Sequence, residues 1–362
     1  MRGLLIAGVS VLMSTIAAGA PSPKSGLPKS GPILPPPAPP IIIAHRGASA
    51  DRPEHTLASY ALAIEQGADF IEPDLVATKD GRLVARHENE ISGTTDVASH
   101  PEFADRKATK SIDGETFTGW FTEDFTLAEL QTLFARERLP QLRPANMAFN
   151  DQERIPTFDQ IIALAETATA RTGRTIGIYP ETKHPGYFRK IGLPLEPPLL
   201  AALQAVGWTT AAAPVFIQSF EVQNLKDLHG QTGVRLIQLI GDGLSGDGIA
   251  YDTLVTPAGL KGVAAYAAGI GPARDRVIPR DDRGVLGAAT ALVADAHAAG
   301  LEVHPWTFRP ENYFLGAPFR KGANPQERGD AAGEIRLYLE TGIDGVFSDS
   351  PAAAVTALGQ PE

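Results

Sequence analysis

Residues 41–47 read IIIAHRG, an uninterrupted apolar run that changes at once into a histidine, an arginine and a glycine. A run without polar side chains is typical of a parallel strand that is buried on both faces and presents polar groups at its end. Apolar runs of the same kind recur along the chain, and helical patterns separate them. The recurrences lie at residues 68–75, 175–179, 215–217, 234–240, 262–270, 301–303 and 345–347.

This alternation of strands and helices predicts the fold class. Eight buried strands with intervening helices indicate an α/β protein of the (β/α)₈ TIM-barrel type over residues 41–358, and a doubly wound open sheet is the alternative. The helices are recognised by capping residues at their starts and by glycines after their ends. They are expected from Thr56 to Gly67, from Thr157 towards Arg171, from Pro198 to Gly207 and from Ala288 to Gly300.

One long stretch, residues 88–155, interrupts the alternation. A hairpin is expected just before it, because the Asp-Gly pair at 80–81 is a favoured two-residue turn. The stretch itself is charged and contains glycines, and its one capped helix should begin at Thr126 and run towards Arg138. We therefore expect an insertion of about residues 88–155 that follows the hairpin of the second strand and is carried by the barrel.

The first forty residues lack the composition of a folded domain. Residues 1–20 place Arg2 before an apolar run that ends in small residues, which is the order of a secretory signal peptide. A membrane anchor is the alternative, but the run is at the lower length limit for a bilayer. Residues 21–40 contain nine prolines and should form an extended linker. We expect export, to the periplasm or the medium, with no stable membrane span after cleavage.

Charge and cysteine content exclude several classes of partner and scaffold. The whole chain has a net charge of −10, and residues 1–40 supply three positive charges and no negative one, so residues 41–362 carry −13. Such a surface disfavours nucleic acid as a partner. The chain has no cysteine, which excludes a disulfide scaffold and a lipidated cysteine anchor. The sequence does not indicate an oligomeric state.

Three carboxylates are expected to converge at one end of the barrel. Glu72 and Asp74 lie two positions apart at the end of the second strand, so both side chains point to the same side. Glu181 and Lys183 repeat this spacing after the third strand. Three carboxylates at one barrel mouth repel each other unless a cation lies among them. Because the ligands are oxygens, we expect one hard divalent cation, with Ca²⁺ ahead of Mg²⁺ and both ahead of zinc.

Two histidines end neighbouring elements of the same mouth. His45 ends the first strand and His87 follows the hairpin, so the two can serve as an acid and base pair near neutral pH. Arg46 and Lys183 flank the predicted cation site and can hold a phosphodiester anion. For Arg46 the alternative is that it only neutralises the carboxylates.

Trp306 follows the seventh strand. An indole at the rim could cover an apolar or glycerol-like group of a substrate, and packing in the core is the alternative.

Short motifs follow one another along residues 41–358 in a fixed order. They are AHRG at 44–47, PEHT at 53–56, IEPDL at 71–75, TKDG at 78–81, YPETK at 179–183, HPWT at 304–307 and GIDGVFSD at 342–349. Together they resemble the glycerophosphodiester phosphodiesterases, and most closely the periplasmic branch of that family. The likeness spans essentially all of residues 41–358.

The resemblance implies a (β/α)₈ barrel that cleaves deacylated phospholipids, a class of small soluble substrates, into an alcohol and glycerol 3-phosphate. In the mechanism usual for the family, a glycerol hydroxyl attacks phosphorus, and water then opens the cyclic phosphate. Many relatives have Asn where His55 stands, so His55 is left out of the catalytic set. Where the branch often has Tyr, this chain has Trp306. The implied roles are acid and base for His45 and His87, metal ligands for Glu72, Asp74 and Glu181, phosphate contacts for Arg46 and Lys183, and orientation of a neighbour or a substrate hydroxyl for Glu54.

Two other functions are considered beside this one. A phospholipase D-like or lysophospholipase D-like enzyme should have an apolar rim that faces the membrane, whereas residues 88–155 are charged and have only scattered aromatics such as Trp120, Phe121 and Phe125. An inactive binding module on a proline-rich stalk should have lost a ligand or a histidine, and none of the expected residues is missing.

Overall fold

The predicted strand positions form a ring of parallel strands in the computed structural model, which describes residues 39–359. Two positions are each divided into two short strands at Pro73 and Pro180, because proline cannot donate a hydrogen bond to the ladder. The strands are β1 (Ile41–His45), β2 (Phe70–Glu72), β3 (Asp74–Ala77), β4 (Leu83–Ala85), β5 (Ala108–Ile112), β6 (Glu115–Gly119), β7 (Gly177–Ile178), β8 (Glu181–Thr182), β9 (Phe216–Ser219), β10 (Arg235–Ile240), β11 (Gly269–Pro272), β12 (Glu302–Val303) and β13 (Gly345–Ser348).

Parallel strand pairing runs around the ring and includes both short strands of each divided position. One series is β13-β1-β2-β7 and the other is β3-β8-β9-β10-β11-β12. The last gap is closed by backbone hydrogen bonds, in which Asp344 N–H donates to the Val303 carbonyl at 2.9 Å and Phe308 N–H donates to the Phe347 carbonyl at 2.8 Å. The predicted (β/α)₈ barrel is therefore confirmed, and the open sheet is excluded.

Helices separate successive strand positions, and the predicted caps are in place. The Thr56 hydroxyl accepts a hydrogen bond from Ser59 N–H, and Thr157 forms a capping box with Gln160. The bounds of the helices are α1 (Leu57–Glu65), α2 (Leu127–Leu130), α3 (Phe158–Thr172), α4 (Pro185–Lys190), α5 (Glu196–Ala205), α6 (Val222–His229), α7 (Tyr251–Leu254), α8 (Pro257–Val263), α9 (Leu292–Ala298), α10 (Ala331–Leu339) and α11 (Pro351–Leu358).

Three predicted elements were wrong in extent, and one of them is the helix expected from Ala288, because α9 begins only at Leu292. The helix expected from Thr126 towards Arg138 ends after one turn, because Phe134 N–H donates to Asp96 at 2.7 Å and the chain then pairs with neighbouring segments as short bridges. The first part of the strand expected at 262–270 belongs instead to α8, whose N-terminus is capped by Thr256. A short apolar run does not by itself distinguish a buried helix from a buried strand.

The interior of the ring is filled below the mouth. A cluster of buried side chains from six of the eight strand positions occupies it, and Tyr179 in its centre contacts the ring nitrogen Nδ1 of His304 through its hydroxyl at 2.9 Å. The polar side chains of a site therefore lie above this apolar cluster, at the carboxyl ends of the strands. The cluster consists of Ile43, Phe70, Tyr179, Phe216, Ile237 and Phe347.

Residues 88–155 lie between β4 and α3 and contain the hairpin β5–β6 and the short α2. Their aromatic side chains are not exposed: Trp120, Phe121 and Phe125 are all buried. The indole N–H of Trp120 donates to the Phe103 carbonyl at 2.7 Å. The buried apolar side chains of this stretch, Trp120 and Phe125 among them, join the main hydrophobic cluster of the barrel.

Across residues 39–359, no helix is both long enough and apolar enough to cross a membrane. The predicted signal peptide and nearly all of the predicted linker lie outside the described residues.

Candidate active site

Three buried carboxylates meet at the carboxyl ends of the barrel strands. Glu72 is the last residue of β2, Asp74 is the first residue of β3, and Glu181 is the first residue of β8. The register of β3 and β8 places Asp74 directly beside Glu181. One oxygen from each of the three side chains lies within 4.8 Å of the others. The structure thus brings together the three residues that the sequence predicts as metal ligands.

The cationic side chains of the protein do not fully offset the negative charges of these three carboxylates. Burial, together with the neighbouring carboxylates, raises the pKa of Glu72 well above its usual range and that of Glu181 to about 8. Burial acts in the same direction on Asp74, but Lys183 and His55 hold the pKa of Asp74 well below its usual range. Asp74 Oδ1 is buried and has no hydrogen-bond partner among residues 39–359. An oxygen-only donor set with an unpaired buried oxygen fits a hard divalent cation.

Further hydrogen bonds orient two of these carboxylates. Glu72 accepts one bond from the backbone N–H of Arg46 at 2.8 Å and another from the Gln218 amide at 3.1 Å. Asp74 Oδ2 lies 2.9 Å from Nε2 of the fully buried His55. Because an ionised carboxylate only accepts, His55 donates from Nε2, and its Nδ1 accepts from the Tyr60 hydroxyl at 2.7 Å. His55 therefore supports a predicted metal ligand from behind.

The two predicted catalytic histidines are each held by a carboxylate on the same ring nitrogen. His45 Nδ1 lies 2.6 Å from Asp349, and His87 Nδ1 contacts Glu88. Both histidines line one cavity, and Nε2 of each, which has no hydrogen-bond partner in the described part of the chain, can serve a substrate there. Burial, and then Arg46, lowers the pKa of His45 to about 4 and the pKa of His87 to about 3. Both rings are neutral at pH 7 before an anion binds.

The two predicted phosphate-binding cations line the same cavity. Lys183 Nζ lies 2.8 Å from Glu181, and nearby carboxylates keep its pKa raised despite burial. Arg46 has a left-handed backbone conformation, with φ of 60°, and its Nε lies 3.3 Å from Asp74. Gly47 follows with φ of 89°, and a Cβ there would lie 2.4 Å from the Ser59 hydroxyl. This tight left-handed turn aims Arg46 at the cluster.

Glu54 is the one predicted substrate-binding residue that does not line the cavity. Its Oε2 accepts from Arg46 at 3.0 Å, and its Oε1 lies 2.7 Å from Arg138. Glu54 therefore orients a neighbouring cation, which is one of the two roles that the resemblance implies for it.

Trp306 lies at the rim, as expected, and it is also packed. Its ring is 5.7 Å from that of Phe220 in an edge-to-face arrangement, and its indole N–H donates to the Gly271 carbonyl at 2.8 Å. It forms the apolar wall of a cavity of about 230 Å³. That cavity is lined by His45, Arg46, Glu72, His87, Glu181, Lys183, Gln218, Phe220, Leu239, Trp306, Thr307, Arg309 and Phe347.

Comparison with known proteins decides the family. The model of the glycerophosphoryl diester phosphodiesterase family matches residues 45–353. The chain belongs to this family. The match extends from the first predicted catalytic histidine to beyond β13, so it includes every predicted site residue.

Sequence relatives carry the same enzyme name. The chain is 37% identical over 326 residues to a glycerophosphodiester phosphodiesterase of Arabidopsis thaliana, with 86% of this chain and 83% of the relative covered. It is 32% identical to the glycerophosphodiester phosphodiesterase of Haemophilus influenzae, with 88% and 89% covered. The protein is accordingly an enzyme of this class.

Solved structures agree with the fold. A glycerophosphoryl diester phosphodiesterase of Silicibacter pomeroyi aligns with a TM-score of 0.62 at 21% identity and covers 89% of this chain and 94% of its own. An Oleispira antarctica phosphodiesterase, solved in complex with the product sn-glycerol-3-phosphate, aligns with a TM-score of 0.60 at 20% identity and covers 89% and 97%.

Several residues of this family member's site were not predicted from its sequence. Asp349 directly follows β13 and stands within the last quoted motif, a position that could have identified it, whereas Arg309 lies six residues beyond the end of β12. Arg143 pairs with Asp349 at 2.5 Å from the middle of the irregular stretch, where no periodic pattern marks it. Gln218 lies within β9, and its amide donates to Glu72 at 3.1 Å.

Proposed function

We propose that this protein hydrolyses glycerophosphodiesters to an alcohol and sn-glycerol 3-phosphate, with a divalent cation bound by Glu72, Asp74 and Glu181. The observation that carries the proposal is a single cavity. In it, the buried carboxylate cluster lies beside Arg46, Lys183 and the two histidines, each of which is held by another carboxylate. The Oleispira relative that was solved with sn-glycerol-3-phosphate supports the identity of the product.

Arg46 and Lys183 bind the phosphodiester anion, since both are charged and line the cavity. After burial, the charge of Arg46 lowers the pKa of both histidines and that of Lys183 lowers the pKa of His87, so an anion that neutralises these charges makes the imidazoles more basic. A bound divalent cation would supply charge stabilisation at the phosphoryl oxygens and favour ionisation of a nearby hydroxyl. Substrate binding thus prepares the histidines for proton transfer.

The reaction needs a proton acceptor and a proton donor on opposite sides of phosphorus. In the first step the glycerol 2-hydroxyl oxygen bonds to phosphorus while the bond to the alcohol oxygen breaks. One histidine Nε2 accepts the hydroxyl proton, and the protonated Nε2 of the other gives its proton to the departing oxygen. Water then opens the cyclic phosphate with the two roles exchanged. Asp349 and Glu88 hold the Nδ1 protons throughout.

For the cation we propose Ca²⁺ ahead of Mg²⁺. Three carboxylates on two strand positions offer the flexible, oxygen-rich coordination that Ca²⁺ tolerates better than the smaller Mg²⁺. Metal analysis of the protein, purified without added ions, tests this identity directly. Zinc as the bound ion would contradict it.

The decisive assay follows glycerol 3-phosphate release from glycerophosphocholine with a coupled dehydrogenase. We expect activity that is abolished by a chelator and restored by Ca²⁺. No activity with any added divalent ion would refute the proposal. Faster hydrolysis of lysophosphatidylcholine would favour the phospholipase D-like alternative, which the buried Trp120, Phe121 and Phe125 do not support.

We also propose that the protein is exported, on the strength of the apolar run and small residues within 1–20. The experiment is to determine the N-terminus of the protein recovered outside the cytoplasm by mass spectrometry. Cleavage within or just after residues 1–20 is expected, and an intact Met1 on protein confined to the cytoplasm would contradict export.

A further inference from the structure

A second cavity adjoins the catalytic one and takes no part in the steps above. It encloses about 280 Å³ and shares Glu181, Lys183 and Phe220 with the catalytic cavity. A group attached to a phosphate that Lys183 holds can therefore extend into it. In the proposed reaction, the substrate has one such group beyond glycerol, namely the alcohol that leaves.

The outer wall of this second cavity is the tip of the hairpin β5–β6. Its two-residue turn, Asp113-Gly114, has positive φ at both positions, 49° and 89°, which is the backbone form that tight hairpins require. Asp113 Oδ2 lies 2.5 Å from Nδ1 of His184, the residue that precedes α4. This contact fixes the hairpin tip over the carboxyl end of β8.

The inner wall carries Glu221, a buried carboxylate that accepts no hydrogen bond from a cationic side chain within residues 39–359. Glu221 accepts hydrogen bonds from the backbone N–H of Gly186, at 3.1 Å from each oxygen. A Cβ built on Gly246 would lie 3.1 Å from Glu221 Oε1 and 3.1 Å from Asp113 Oδ2, so both carboxylates lie close to this glycine on the cavity wall. Burial and then Asp113 raise the pKa of Glu221 to about 7. A cation bound in the cavity beside Glu221 would offset this repulsion.

Aromatic rings complete the lining. Tyr251 and Phe220 stand edge to face with ring centroids 6.1 Å apart, and Phe117 of the hairpin is the third ring. Lys183 Nζ already lies 5.7 Å from the centroid of Phe220, at the boundary between the two cavities. Aromatic faces combined with carboxylates are the chemistry that binds substituted ammonium groups.

We propose that the second cavity binds the leaving alcohol of the substrate when that alcohol carries an ammonium group, with Glu221 and Tyr251 as specificity-determining residues. The enzyme then prefers glycerophosphodiesters with a cationic head group to those with a neutral one. This inference rests on the proposed function, because the position of the phosphate decides which group reaches the cavity.

The test compares kcat/KM for glycerophosphocholine with kcat/KM for the neutral glycerophosphoglycerol, at about pH 8 so that Glu221 is ionised. In Glu221→Gln the ratio of the two values should fall about tenfold, the effect of losing one partly desolvated contact to a cation. The control is Asp105→Asn, which removes the charge of an exposed carboxylate in the insertion of residues 88–155, and in which the ratio should not change. Tyr251→Leu supplies a second variant should Glu221→Gln fail to fold, and it should lower the ratio in the same direction.

Inhibition by free choline is the second readout. Its inhibition constant should rise in Glu221→Gln in proportion to the fall in the ratio. A ratio and an inhibition constant that both stay at wild-type values would overturn the inference while leaving the proposed function intact. A wild-type protein that cleaves neither substrate with Ca²⁺ present would overturn the proposed function itself.

Discussion

Replacing Asp349 with asparagine tests whether the orientation of His45 governs turnover. One oxygen of Asp349 contacts His45 Nδ1 at 2.6 Å, and the other lies 2.5 Å from Arg143 and 3.2 Å from Arg309. Asparagine keeps one oxygen for the two arginines and turns its NH₂ group, a donor, towards His45. The histidine must then carry its proton on Nε2, where it cannot accept one from a substrate.

The size of the effect follows from the charge that is lost. An imidazolium and a carboxylate with charge centres about 4 Å apart attract each other by about 4 kcal/mol at an effective dielectric constant of about 20. If this attraction acts only when His45 is protonated during the reaction, its loss lowers kcat by about three orders of magnitude. KM and cation affinity should change little, because Asp349 does not line the cavity and is not among the clustered carboxylates.

The assay measures kcat and KM on glycerophosphocholine, calcium binding by calorimetry, and folding by circular dichroism. Glu311→Gln is the matched control, since Glu311 pairs with the other side of Arg143 at 2.6 Å and does not contact His45. It should lose far less activity than Asp349→Asn. A folded Asp349→Asn protein whose kcat stays within about tenfold of wild type would refute the reasoning.

Three further predictions concern the cation, the turn after β1 and acid stability. Glu72→Ala and Glu181→Ala should lose calcium affinity by calorimetry, whereas His45→Ala and His87→Ala should keep it and lose turnover; retained turnover in His87→Ala would refute the acid and base pair. Gly47→Ala should destabilise the protein by more than about 1 kcal/mol in urea unfolding, because φ is 89° and the new Cβ would lie 2.7 Å from a backbone carbon of Ser59. The control is Gly81→Ala, because Gly81 also has a positive φ but has open space around it. Burial lowers the pKa of His304 to about 4, below its unfolded value of about 6.5, so the folded state binds fewer protons than the unfolded state between these pH values. The free energy of unfolding should therefore fall by about 3 kcal/mol as the pH drops from about 6.5 to about 4. This pH dependence should be shallower in His304→Gln, and an unchanged slope would contradict the account.

The sequence predicts best those parts of the site that adjoin an apolar run. Glu72, Asp74 and Glu181 lie at the ends of buried strands, and the two-residue periodicity of a strand alone determines that the first pair shares one side. The same local logic located the strands of the barrel, and it failed where a short apolar segment could be either helix or strand, as in α8.

What the sequence could not predict depends on contacts between distant parts of the chain. Arg143 and Asp349 are separated by 206 positions, and neither periodicity nor spacing relates them. The early end of α2 has the same origin, because the side chain of Asp96 captures the backbone N–H of Phe134. Tertiary hydrogen bonds override a helix start signal that is locally correct.

Residues 88–155 then acquire a physical role that differs from that of the barrel. The clustered carboxylates come from barrel strands, whereas the carboxylates that hold the two histidines are themselves held by arginines of this stretch. Arg143 contacts Asp349 at 2.5 Å, and Arg138 contacts Glu88 at 2.6 Å. Because an arginine that keeps a carboxylate ionised also fixes which ring nitrogen carries the proton, the insertion determines the proton-transfer geometry. A change in this stretch can therefore alter turnover through the histidines, and Arg138 also links it to the cation site, because Arg138 contacts Glu54, which holds Arg46 beside Asp74.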